Sequence, residues 1–188
     1  MMNDYLCIEV NQRNELRTRM SFNLFQMQFN DVDVKIDTGC PFTMIPLRAA
    51  GLSEQATSRL KRRDCENPEI VKHISFGVND TEEKREQDKE NFRNKNYLQV
   101  SSISFRHSFE NVSLGGFQVG NAELLVSYDR TGNVLIGMDV LRLFDVHIGV
   151  SAVTGTHMML ACPTDNLSSS YLEALSVHFE SQNLRLMK

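Results

Sequence analysis

Val32, Val34 and Ile36 alternate with polar residues, and the alternation runs straight into Asp37-Thr38-Gly39. Successive side chains of a strand point to opposite faces, so these three apolar residues share one face that some other part of the chain must cover. A strand that ends on an acid, a threonine and a glycine has two uses. Either the carboxylate caps a surface loop, or the strand exists to aim it.

The same period of two recurs along most of the chain. Met20, Phe22 and Leu24 alternate, the phase slips by one residue, and Phe25, Met27 and Phe29 carry the pattern on, as a bulge would allow. "FNDVD" reads as the turn into the strand of Val32–Ile36. "FTMIPL" (42–47) reads as a short strand, and Ser53 as the N-cap of a helix over "EQATSRLKRR", whose basic end suits the helix dipole. "ENPEIVKHISFGV" reads as extended after its proline. Residues 79–96, "NDTEEKREQDKENFRNKN", are almost entirely polar and read as a solvated helix or a mobile loop with too little apolar surface for a core.

From residue 97 the strand pattern returns. Gly120-Asn121 reads as a two-residue hairpin turn, and Ala122, Leu124 and Val126 alternate after it. "NVLIGMDVLRLF" reads as a buried strand that becomes a short helix after Gly137, and "VHIGV" and "THMMLA" as a last hairpin. Ser170 and Glu173 form a capping box, with Leu172, Leu175 and Phe179 on one face of a C-terminal helix.

With 188 residues, 41% of them hydrophobic, the chain can build one domain with a real core. A net charge of −4 is too mild to argue for nucleic acid or a membrane surface, and no apolar run is long enough to span a bilayer. The N-terminus lacks the basic and apolar regions of a signal peptide. Cys7, Cys40, Cys65 and Cys162 are scattered without a C-x-x-C pair, as expected of reduced thiols in a cytoplasmic protein. His73, His107, His147, His157 and His178 show no ligand spacing and read as surface or loop histidines; neither a metal nor a cofactor is expected.

Asp37-Thr38-Gly39 gains meaning from its answer downstream: Leu135-Ile136-Gly137 places two apolar residues before a glycine 100 residues after Asp37. "DTGCPFTMI" followed by "VLIGMDVL" resembles the retropepsin-like aspartic proteases, of the single-domain cellular and bacterial type. The resemblance implies a mainly β, closed-barrel acid-protease domain over residues 16–162, with a few short helices. Residues 1–15 form an N-terminal segment, 163–188 a C-terminal helical tail, and 79–96 a charged insertion in the flap region. It implies that Asp37, Thr38 and Gly39 are catalytic, the threonine bonding across a dimer axis. Cys40, Pro41, Phe42, Leu135, Ile136 and Gly137 would bind substrate or support the loop.

The chemistry needs two carboxyls, since one must activate water while the other polarises the scissile carbonyl. This chain has one such motif; Asp129-Arg130-Thr131-Gly132 carries an extra residue and does not fit. The implied partner is therefore a second copy, with a polypeptide as substrate and neither nucleic acid nor membrane. The pattern also departs from the retroviral enzymes. Cys40-Pro41-Phe42 replace an alanine and acidic residues, and Met138 replaces the arginine that pairs with those acids. Asp139 reads as a charge at a helix start and Cys40 as a small packed residue. The alternative function is a catalytically silent module that keeps the fold for dimerisation or peptide binding.

Overall fold

The computed structural model describes residues 5–77, 80–128, 132–151 and 155–161. Its strands are β1 (Tyr5–Glu9), β2 (Arg17–Leu24), β3 (Met27–Ile36), β4 (Met44–Pro46), β5 (Ile74–Phe76), β6 (Ile103–Leu114), β7 (Phe117–Ser127), β8 (Val134–Ile136), β9 (Asp145–Ser151) and β10 (Gly155–Ala161). The helices are α1 (Glu54–Cys65), α2 (Pro68–Val71), α3 (Glu82–Arg93) and α4 (Met138–Leu141), with a 3-10 turn at Tyr97–Gln99.

Strands β2, β3, β8, β4, β7 and β6 are joined in that order, and β6 returns to pair with β2. The result is a closed six-stranded barrel, the fold that the resemblance implies. Closure depends on the length of β6. Its first half pairs with β5 at Ile103–Phe105, and its second half meets β2 at Glu110–Leu114. The barrel is filled by the inward members of each alternation, among them Met20, Phe22, Val34, Ile36, Phe105, Phe109, Val126 and Ile136. Phe22 stacks on Phe29 with centroids 4.8 Å apart and meets Phe109 edge-on at 5.1 Å. Each buried ring contributes roughly 1.5–3 kcal/mol from lost apolar hydration. Beside the barrel, β1, β10 and β9 form a three-stranded antiparallel sheet. The expected C-terminal helix lies outside the described residues.

Several local expectations are corrected. The turn between β2 and β3 is Phe25-Gln26, both at positive φ (54° and 61°), and "FND" lies inside β3, where Asp31 (φ 51°) sits near a register shift. No glycine or asparagine marks that turn, and the phase slip belonged to the turn itself. Its left-handed backbone is offset by packing: the Phe25 ring meets His107 edge-on at 4.8 Å and lies 4.5 Å beneath the Arg63 guanidinium. The β6–β7 hairpin turns at Gly115-Gly116, and Gly120 is a bulge within β7. Both glycines of the turn have positive φ (58° and 91°), the conformation a tight hairpin requires. The segment after Pro68 begins as α2, with Pro68 in the first turn, where its missing N–H is harmless, and Asn67 as cap.

α1 begins at its expected N-cap, with Ser53 Oγ accepting from Ala56 N–H. Of its two expected forms the charged segment takes the helix, α3, but one of its side chains is buried rather than solvated. Thr81 caps α3, and the buried Asp88 carboxylate accepts from the backbone N–H groups of Ser101 (2.8 Å) and Ser102 (3.0 Å). Phe92 meets Phe76 and Tyr97 edge-on or tilted. A polar helix thus docks by one buried acid and one ring, which a count of apolar residues misses.

α1 is fastened to the barrel by another buried acid. Asp64 is fully buried; its Oδ2 lies 2.7 Å from His107 Nε2 and accepts from the Tyr128 hydroxyl, while Arg63 approaches Oδ1 at 2.9 Å. His107 is therefore no surface histidine. It lies on the inward face of β6 with Phe105 and Phe109, a placement the alternation Phe-x-His-x-Phe already marks. Burial acts to raise the Asp64 carboxyl, but the hydrogen bonds from His107, Tyr128 and Arg63 and the electrostatic attraction of His107 outweigh it, so the group titrates below the usual carboxylate range. Burial and the same carboxylate push the Tyr128 phenol up.

A depressed folded-state value means that the stabilisation is complete above about pH 4, where an unfolded aspartate ionises, and is lost as pH falls through the lower folded value. Asp64→Asn should therefore destabilise the neutral protein by about 3 kcal/mol or more. It should also flatten the acid limb of stability below about pH 4. Urea titrations at a series of pH values check both effects; parallel acid limbs for the two proteins contradict the assignment.

Candidate active site

β8 lies between β3 and β4. It runs parallel to β3, with Ile36 beside Ile136, and antiparallel to β4, with Met44 beside Leu135. Residues 37–43 connect β3 to β4, so they must arch over the end of β8, where Gly137 stands. The contact is too close for a side chain. A Cβ on Gly137 would fall 2.4 Å from the carbonyl carbon of Phe42 and 2.8 Å from the carbonyl oxygen of Cys40. That is the physical reason why two apolar strand residues are followed by glycine.

Hydrogen bonds stitch the arch to what lies beneath it. Asp37 N–H donates to the Ile136 carbonyl (2.9 Å), Met138 N–H to that of Cys40 (2.9 Å) and Asp139 N–H to that of Pro41 (3.2 Å). The fully buried Thr43 is the keystone: its hydroxyl accepts from Gly137 N–H (3.0 Å) and donates to Asp139 Oδ1 (2.7 Å). The same carboxylate oxygen accepts from Thr43 N–H at 2.7 Å. Asp139 does stand at a helix start, but it also braces the loop, a role that sequence reading missed. Its signal is only the shared spacing of two segments far apart in the chain.

The Asp37 side chain is half-buried, and its Oδ1 accepts from Gly39 N–H at 3.0 Å, which fixes its direction. The Cys40 thiol turns away from it and donates to the Phe42 carbonyl (3.0 Å). Thr38 and Gly39 are exposed at the apex. Asp37, Gly39, Cys40, Pro41, Phe42 and Leu135 line one cleft of about 700 Å³. Ile136 and Gly137 are not among its lining residues: Ile136 is fully buried and reaches the loop through its carbonyl. Thr38 is likewise outside that lining.

The rest of the cleft comes from residues not singled out in the sequence. Met44, Leu125 and Arg106 supply its floor, and Ile74 and Phe76 of β5 supply a wall. Among the described residues no group of three His, Cys, Asp or Glu side chains could hold a metal. Nor is any described helix long and apolar enough to cross a membrane.

No protein-family model matches the chain, and no curated protein matches it in sequence. A solved structure of a retropepsin-like aspartic protease from Rickettsia conorii aligns with 85% of this chain and 93% of that one, at 12% identity and a TM-score of 0.45. Its family is the one that the two sequence motifs resemble.

Thr43→Val keeps the shape of the side chain but leaves the Gly137 N–H without its acceptor and removes one donor from Asp139. Stability should fall by about 1–3 kcal/mol, the usual effect of stranding a buried polar group. Thr43→Ser should restore most of it. Calorimetric midpoints for the three proteins check this; an unchanged midpoint in the valine variant means that the threonine does not brace the arch.

Proposed function

We propose that the protein is an aspartic endopeptidase, active as a homodimer in which the Asp37 carboxyls of two chains form one catalytic pair. The observation that carries the reading is the placement of Asp37, half-buried and directed by Gly39, on a hydrogen-bonded loop at the edge of a cleft of about 700 Å³.

Two carboxyls at close range cannot both ionise easily, so they share a proton. The ionised member takes a proton from water, which attacks the scissile carbonyl, while the protonated member donates to the carbonyl oxygen. Collapse of the resulting diol, with a proton passed to the departing nitrogen, frees the two peptides. Gly39 leaves room for a backbone close to the acids.

The need for a second chain follows from the single motif. It is supported by apolar and loop residues that this chain leaves exposed. Thr38 and Gly39 are exposed, as are Met138 (43%) and Leu143 (44%) at and just beyond α4. Val146, Ile148 and Val150 on β9, which among the described residues pairs only with β10, add an exposed apolar strip. Apolar strips of this kind are ordinarily covered by another surface.

Asp37→Asn is nearly isosteric but puts an amide, which can neither ionise nor share the proton, in place of the carboxyl. Cleavage of an unfolded protein substrate should fall by about a thousandfold or more, as expected when a general acid–base pair is lost. The circular dichroism spectrum and thermal midpoint should be unchanged. Equal cleavage by the two proteins contradicts the reading, and absence of cleavage by the parent leaves the silent peptide-binding module.

A further inference from the structure

The floor of the cleft is a single register row across four strands. Leu135 on β8 is the neighbour of Met44 on β4, Met44 of Leu125 on β7, and Leu125 of Arg106 on β6. All four are only partly buried, because their strand neighbours face the barrel interior and they face the cleft. Three apolar side chains are thus followed by one guanidinium.

Arg106 has no anionic partner among the described residues. Among the described residues it makes neither an ion pair nor a hydrogen bond; its guanidinium carbon lies 5.4 Å from the centroid of the Phe42 ring. An arginine resting on a ring keeps its in-plane N–H groups available, and these match a carboxylate two at a time. Asp37 is the single carboxylate among the residues lining the cleft, and it is directed by Gly39. Among the described residues that line the cleft, no second carboxylate is present to meet Arg106, which leaves it able to take an anion from a bound peptide.

Resting on the peptidase reading, we propose that Arg106 is the specificity-determining residue of the cleft, selecting peptides that carry a Glu or Asp side chain close to the bond cut. The row spans three inter-strand steps of about 4.8 Å, and an extended peptide rises about 3.3 Å per residue. The acidic side chain therefore falls within about four residues of the scissile bond. The preceding positions on the substrate are apolar, to match Leu135, Met44 and Leu125.

The test uses the full-length protein and a pool of peptides in which one position at a time is Glu, Gln or Lys. At one position, kcat/KM should favour Glu over Gln by about tenfold, the worth of a charged hydrogen-bonded pair. In Arg106→Met the ratio should fall to about one, and in Arg106→Glu the preference should pass to Lys. A merely structural contact with Phe42 does not invert a charge preference. Robust cleavage with no preference for Glu at any position overturns the proposal and leaves the peptidase reading intact. If no peptide is cleaved, the peptidase reading fails, and the subsite is then read by titrating the same peptides into Asp37→Asn. Tighter binding of Glu than Gln that disappears in the double variant with Arg106→Met retains the subsite; equal binding overturns it. Dissociation of the dimer by Arg106→Met places the arginine in the subunit contact and also overturns it.

Discussion

The passage of residues 40–42 over Gly137 is the contact on which the site depends. Two backbones meet there at a distance that leaves no room for a Cβ. The candidate site is suspended from that crossing. Asp37 hangs from it on one side through the Ile136 carbonyl, and Met44 leaves it on the other to begin β4. Thr43 and Asp139 lock the two layers by sharing hydrogen bonds that neither layer could satisfy alone. A catalytic carboxylate on a free loop would sample many directions. Here the loop is short, is tied on both flanks to a barrel strand, and has little freedom left to lose on meeting a substrate.

The sequence carried this part of the design well because each end has its own local signal. An alternating strand ending in Asp-Thr-Gly and a second ending in Leu-Ile-Gly each carry a local signal, and the two gain their meaning together. The helix of α1 was legible for the same reason: Ser53 announces its start. The turns were not. Phe25 and Gln26 have positive φ without being residues that favour it, and their conformation is held by contacts with Arg63 and His107 from distant segments. Gly120 looked like a turn and proved to be a bulge, because glycine serves both uses and only the pairing of β6 with β7 distinguishes them.

The buried acids were equally invisible. Asp64 and Asp88 sit in helices of ordinary polar composition, yet each is buried against a partner outside its own helix. Polarity predicts exposure only when no such partner exists, and partners are a property of the fold. Arg106 belongs to the same class. Its alternation with Phe105 and His107 says that it faces out of the barrel, but the strand order is what places that face on the cleft.

The central claim is that one chain holds half of a catalytic site. Subunit mixing tests it most directly. Parent chain and the Asp37→Asn chain are unfolded together, refolded together in known proportion, and assayed at fixed total concentration. If one active site needs Asp37 from both chains, activity follows the square of the parent fraction, so an equal mixture retains about one quarter of full activity. An equal mixture that retains about one half, with activity linear in the parent fraction, shows that each chain carries a complete site and contradicts the account.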